Sequence, residues 1–142
     1  MKCSEVMKRD LQCATETDSV HRVATRMRER NIGFLPVCNG EGVAIGTLTD
    51  RDLVLRVLAE GRDPEATTAR EIMSMGVVSC SADESLSDAE MLMSKHKVSR
   101  VVVVDERQHP VGIISLSDVA ELETGRTASA VLRSVSQREA RT

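Results

Sequence analysis

The sequence predicts an α/β (α+β) protein made of two pseudo-symmetric units, each running about β-α-β-β-α and packed through their sheets. Three observations carry this. A shift of 66 positions lays the chain on itself without a gap from Met7 to Leu53. Met7 then falls on Met73, Ser19 on Ser85, Met27 on Met93, Val37 on Val103, Gly46 on Gly112 and Asp52 on Asp118; a fixed internal period marks duplicated structural units. Within each repeat, apolar residues at helical spacing give way to two β-rich runs separated by turn residues. A unit of about sixty residues is marginal for folding alone, so the two halves are expected to bury their apolar faces together.

Each repeat opens on a short helical turn, Ser4 to Met7 and Thr68 to Met73. The second carries a capping box, Thr68-x-x-Glu71, in which each side chain can reach a backbone N–H left unpaired at the helix start. A short strand follows, over 11–15 and 77–81. Next comes an amphipathic helix, with Val20, Val23, Ala24 and Met27 at i, i+3, i+4 and i+7 and with Leu86, Ala89 and Met93 repeating most of that stripe. Two strands come after it, 33–38 and 43–49 around Asn39-Gly40-Glu41-Gly42, then 100–104 and 111–116 around a turn ending in Gln108-His109-Pro110. The run Val101 to Val104 does not alternate with polar residues, which predicts a strand buried on both faces. The closing helices span about 51–60 and 117–123, with Gly61 and Gly125 as C-terminal stops. The linker Gly61 to Glu65 divides the chain into 1–62, 63–125 and a basic tail or helix over 126–142, with Ala130, Val131 and Val135 as its apolar positions.

The composition narrows the function classes. The chain has 142 residues, 41% hydrophobic and 29% charged, the balance of a soluble globular protein. It has one Phe, no Tyr and no Trp, so it lacks the rings on which single-stranded nucleic acids stack. The net charge of −3 gives no field for a phosphate backbone, and nucleic acid is not expected as a partner. The tail from Thr124 to Thr142 is locally basic, with four Arg against one Glu, as in a solvated helix end or a partner contact. Cys3, Cys13, Cys38 and Cys80 form no C-x-x-C pair, and the three His are scattered, so no metal site is expected. The cysteines read as small buried hydrophobes. The charged opening Met1-Lys2-Cys3-Ser4-Glu5 is no signal peptide, and the apolar run Val101 to Val104 is too short to span a bilayer. These features predict a cytoplasmic protein with reduced thiols.

Two equivalent segments carry the candidate chemistry: Gly46-Thr47-Leu48-Thr49-Asp50-Arg51-Asp52 and Gly112-Ile113-Ile114-Ser115-Leu116-Ser117-Asp118. Each places a hydroxyl at a strand end, beside a helix start whose free N–H groups favour an anion. Each places an Asp in the first helical turn. An ionised carboxylate only accepts hydrogen bonds, which suits a cis-diol whose two hydroxyls both donate. Plain N-caps with dipole-complementing Asp residues fit either segment alone. The recurrence of both at a fixed offset favours the ligand reading. His21, His96 and His109 have no nucleophile beside them, and neither a Walker loop nor a dinucleotide fingerprint is present.

The sequence resembles a tandem pair of cystathionine-β-synthase (CBS) domains, the arrangement called a Bateman module. The likeness spans about Met1 to Gly125. Its carriers are Ser4-Glu5-Val6-Met7 and Arg70-Glu71-Ile72-Met73, Phe34-Leu35-Pro36-Val37 and Arg100 to Asp105, and the two Gly…Thr/Ser-x-x-Asp segments. The resemblance implies a regulatory module that binds adenosine-containing ligands in clefts between the units: AMP, ADP or ATP, or else NAD or S-adenosylmethionine. It implies no required cofactor, no catalysis by the module itself, a homodimer, and a separate regulated protein as partner. Carried over by position, Asp52 and Asp118 would meet ribose hydroxyls, and Thr49 and Ser115 phosphate or ribose. Arg100 would meet phosphate, with Arg51 a further cation near its helix start. Thr15 to Thr17 and Ser81 to Asp83 would line the base pocket, Thr17 and Asp83 among them. The repeats also differ: Val102 stands where the first has Pro36, Leu116-Ser117 where it has Asp50-Arg51, and Arg100 where it has Phe34. The clefts are therefore not expected to be equal, and a structural homodimerisation module with weak or empty clefts is the alternative.

Overall fold

The computed structural model describes residues 1–123. Gly125 and the expected tail helix over 126–142 lie outside the described residues. By chain contacts the described residues form two compact units, one of residues 12–77 and the other of residues 1–11 with 78–123.

In the 12–77 unit, β1 (Ala14–Thr15) leads into α2 (Val20–Arg30), then β2 (Phe34–Cys38), β3 (Ala44–Thr49) and α3 (Asp50–Leu53). A short helix α1 (Cys3–Val6) precedes them in the chain but belongs to the other unit. After α3 the backbone continues as a π-helical segment, Val54–Leu58, and then α4 (Ala69–Ile72) and β4 (Ser74–Met75). The sheet order is β1-β2-β3-β4, with β1 parallel to β2 and the other pairs antiparallel. In the second unit β5 (Ser79–Ser81), α5 (Leu86–His96), β6 (Arg100–Val104), β7 (Pro110–Ser115) and α6 (Leu116–Glu123) repeat the pattern, with sheet order β5-β6-β7.

Local chemistry explains the elements. Ser19 and Ser85 cap α2 and α5, accepting from the N–H groups of Arg22 and Asp88 at 3.1 and 3.3 Å. Both helices end on a left-handed residue, Asn31 at φ 54° and Lys97 at φ 55°. Gly61 takes the left-handed conformation after the π-helical segment, at φ 66°. Thr68 N–H donates to Glu71 Oε2 at 2.8 Å at the start of α4. The β1 and β5 strands differ by one residue for a covalent reason. In β6, Val102 N–H donates to Val78 O at 3.0 Å. Its counterpart Pro36 has no N–H, so β1 loses that rung.

Each unit has its own aliphatic core. One gathers Val20, Val23, Met27, Leu35, Val37, Leu48, Val57, Ile72 and Met73, and the other Met7, Leu86, Ala89, Met93, Val101, Val103, Ile114 and Val119. All of Val101 to Val104 are buried, as the unbroken run predicts. Ala24 departs from its expected place on the buried stripe and is exposed. Cys3, Cys38 and Cys80 are buried and Cys13 is half-buried, all as free thiols.

The packing boundary does not follow the repeat boundary. The opening segment of the first repeat packs in the unit of the second, and residues 63–77 pack with the body of the first. The contacts that close the two units are tight and reciprocal. A Cβ on Gly112 would lie 2.5 Å from the Met7 sulfur, and one on Gly46 would lie 2.6 Å from the Met73 sulfur. Each glycine receives the methionine that opens the other repeat. The backbone then closes on the sheet edge: Lys8 and Ile113 exchange N–H···O bonds of 2.9 and 3.0 Å, and Ser74 pairs with Thr47 at the repeat-equivalent place. The linker at 61–65 accordingly lies within one compact unit.

Candidate functional site

Both hydroxyl-x-x-Asp segments form the same closed turn. Thr49 Oγ1 accepts from Asp52 N–H at 3.1 Å, and Asp52 Oδ2 accepts from Thr49 N–H at 2.9 Å. Ser115 Oγ accepts from Asp118 N–H at 3.2 Å, and Asp118 Oδ2 accepts from Ser115 N–H at 3.1 Å. These reciprocal bonds satisfy two backbone donors at the helix start and fix the carboxylate's direction. The expected N-cap role is therefore real. It uses only one oxygen of each carboxylate.

The other oxygen, Oδ1, is where the units diverge. Asp52 Oδ1 lies 3.5 Å from Arg56 Nη2, one helical turn on. Arg56 is further anchored, its Nη1 donating to Ile72 O at 2.7 Å and to Ser74 Oγ at 3.2 Å. Asp118 Oδ1 lies 3.6 Å from Lys8 Nζ. The two Asp side chains are about equally covered, 15% and 13% exposed, but Lys8 is 64% exposed. Neither Lys8 nor Arg56 is among the expected site residues. Arg56 sits at the i+4 spacing that could have signalled it. Lys8 has no local signal, because it meets Asp118 only through the exchanged opening segment.

Sheet register places the neighbouring side chains. Arg100 is directly opposite Ser115, and Phe34 directly opposite Thr49. Directly opposed residues of an antiparallel pair share a face with close Cβ atoms. One turn therefore has a guanidinium-bearing neighbour and the other an aromatic ring. Arg51 is exposed in the first turn of α3, its N–H donating to Asp50 Oδ1 at 2.9 Å. Leu116, in the place of Asp50, is exposed as well.

Thr17 and Asp83 lie elsewhere in their own units. Ser81 pairs with Val104 and Thr15 with Cys38, at the far ends of the strands that begin at Arg100 and Phe34. Four residues of strand separate those ends by about 13 Å. Asp83, 92% exposed and 3.9 Å from Lys2 Nζ, borders an open cavity of about 610 Å³ between the β5–α5 turn and the β6–β7 turn. Thr17 Oγ1 is 3.5 Å from Thr15 Oγ1. Register thus gathers Arg100, Ser115, Asp118 and Lys8 in one unit, and Thr49, Asp52 and Arg56 in the other.

The doubled sheet-and-turn pattern has a match among known families, since the CBS domain profile fits residues 3–59 and again 69–125. The chain belongs to the CBS domain family. It is 37% identical over 116 residues to the CBS domain-containing protein YhcV of Bacillus subtilis, covering 82% of this chain and 81% of that protein. An uncharacterized Methanopyrus kandleri protein is 33% identical over 84% of this chain, which spans only 61% of that protein's length. Among solved structures, Hypoxic Response Protein I with two coordinated zinc ions is similar, at TM-score 0.77 and 34% identity over 84% of this chain and 97% of that one. The CBS domain pair of protein MJ0100, in complex with 5′-methylthioadenosine and S-adenosyl-L-methionine, has TM-score 0.78 and 27% identity over 89% and 98% of the two chains. Among the described residues, no three His, Cys, Asp or Glu are gathered for a metal ion, and no helix is long and apolar enough to cross a membrane.

Proposed function

We propose that this CBS pair is a regulatory module that binds an adenosine-containing ligand, best matched by AMP, ADP or ATP, and signals to a separate protein. The observation that carries the reading is the directed carboxylate of Asp118. Its Oδ2 is committed to Ser115 N–H, and its Oδ1 faces the exposed head group of Lys8. Such an oxygen can accept both hydroxyls of a ribose. Arg100, across the strand pair on the same face, supplies positive charge for a phosphate. The ligands bound by the MJ0100 CBS pair share the adenosine portion.

Thr49, Asp52 and Arg51 form the corresponding turn of the other unit. The three-point anchoring of Arg56 makes Asp52 the weaker sugar acceptor of the two. The reading assigns no catalysis to any residue and requires no cofactor. Ligand binding acts by favouring one arrangement of the protein, which the partner recognises.

Calorimetric titration with AMP, ADP, ATP, NAD and S-adenosylmethionine tests the reading. Saturable heat with an adenine nucleotide, lost in Asp118→Ala, is the expected result. No heat with any of the five overturns it.

A homodimer is the second element of the proposal. Val54, Leu55 and Leu58 on the π-helical segment, and Leu116 and Leu122 on α6, are exposed apolar side chains that a second copy would cover. Light scattering after size exclusion decides it, and a monomer at micromolar concentration would remove this element alone.

A further inference from the structure

Lys8 lies where a site residue and a structural segment coincide. Its backbone is fixed on the edge of β7, two residues before Ser115, by the paired bonds with Ile113. Its side chain is mostly exposed and ends 3.6 Å from Asp118 Oδ1. That separation is an ion pair without a short hydrogen bond. The lysine therefore has an anchored base and an exposed head, paired with one carboxylate oxygen, on a flexible four-carbon stem. At the equivalent position of the other unit stands Ser74, whose Oγ instead accepts from Arg56 Nη1. There the cation has three partners, Asp52 Oδ1, Ile72 O and Ser74 Oγ.

We propose that Lys8 is a specificity-determining residue of the Asp118 site, an exchangeable counter-ion that yields the carboxylate to a ribose diol and turns to the ligand's phosphate. The inference rests on the reading of Asp118 as the sugar-binding carboxylate. Two consequences follow from the geometry. Without ligand, Lys8 pairs with a carboxylate that is mostly covered from water, while the reciprocal Ser115–Asp118 bonds hold the turn. With ligand, the diol's two donors replace the ammonium on Oδ1, and the displaced charge is stabilised only where an anion is within reach. A neutral nucleoside gives it no such partner, whereas a nucleotide does. The unit thus discriminates by phosphorylation, with Lys8 and Arg100 as its two cations.

The test is a calorimetric series of adenosine, AMP, ADP and ATP against the full chain as wild type, Lys8→Ala, Lys8→Arg and Asp118→Asn. Lys8→Ala should weaken AMP, ADP and ATP about tenfold, the worth of one partly exposed charge-assisted contact. It should leave adenosine unchanged or bound somewhat more tightly, since the carboxylate is freed. Lys8→Arg should restore the preference for phosphorylated ligands. The melting temperature of Lys8→Ala should stay near wild type, because the lysine end of the pair is exposed and its 3.6 Å separation is long. Equal weakening of adenosine and AMP in Lys8→Ala, or no change in either, overturns the assignment of Lys8. If the wild type binds nucleotides and Asp118→Asn abolishes this while Lys8→Ala is indifferent, only the Lys8 inference fails. A wild type that takes none of the four ligands overturns both the inference and the reading beneath it.

Discussion

At Asp52 the outward carboxylate oxygen meets Arg56, four residues along the same chain segment and held by a carbonyl and a hydroxyl as well. At Asp118 the same oxygen meets Lys8, which comes from the far end of the sequence and is held at its head by that carboxylate. The backbone turn is the same in both units, down to the reciprocal bonds between hydroxyl residue and Asp. Duplication has thus preserved the scaffold while the charge partner has changed. A conserved local geometry does not imply equal binding, because the energy of exchanging a counter-ion depends on what else holds that ion.

The largest expected effect is on the Asp118 turn. Asp118→Asn keeps an acceptor for Ser115 N–H but loses the charge, and should weaken nucleotide binding about tenfold to a hundredfold, the value of a hydrogen bond to a charged group. Asp52→Asn should change the same titration much less. Equal losses from the two substitutions would show that the anchored arginine does not matter.

A stability difference comes next. Gly46→Ala would bring its Cβ to 2.6 Å from the Ser74 carbonyl oxygen as well as the Met73 sulfur, whereas the three atoms nearest a Cβ on Gly112 all belong to the Met7 side chain. Backbone yields less readily than a thioether. Gly46→Ala should therefore cost about 1–3 kcal/mol in urea unfolding and Gly112→Ala less. The reverse order would contradict the edge pairing of β4.

Alkaline pH should weaken both units. Burial, first among the causes, pushes the Cys13 and Cys80 thiols up to about 12 from the ordinary 9.0. The folded chain then holds these protons more tightly than the unfolded chain. This contribution is intact below the unfolded value near 9 and is lost as pH rises toward 12. Melting temperatures should fall across that window, and Cys13→Ala and Cys80→Ala should each reduce the slope. A slope unaltered in both variants would exclude the thiols as its source.

The smallest effect separates the ends of α2 and α5. Both end left-handed, on Asn31 and Lys97. Asn tolerates that conformation through its short polar side chain, and Lys does not. Lys97→Gly should stabilise by about 1 kcal/mol and Asn31→Gly by less, as read from the unfolding midpoint.

Much of the fold was legible because its signals are short-range. The apolar spacing of Val20, Val23 and Met27 located α2, the valine run located the buried stretch of β6, and Thr68 with Glu71 located the start of α4. Of the candidate site, the Thr49–Asp52 and Ser115–Asp118 turns were legible for the same reason, as three-residue spacings at strand ends. The pairing of β4 with β3 was not, since Ser74 and Met75 carry no strand pattern of their own. Nor was the separation of Asp83 from Asp118, which depends on the register of β5 against β6.

By itself, then, the sequence determined the repeat, the two capped turns and the side chains that differ between them, because each is encoded within a few residues of backbone. Only the tertiary structure decided which repeat-opening segment closes which sheet. That choice placed Met7 on Gly112 and Lys8 on Asp118. The physical reason is that edge pairing and side-chain fit between distant segments leave no periodic trace in either segment.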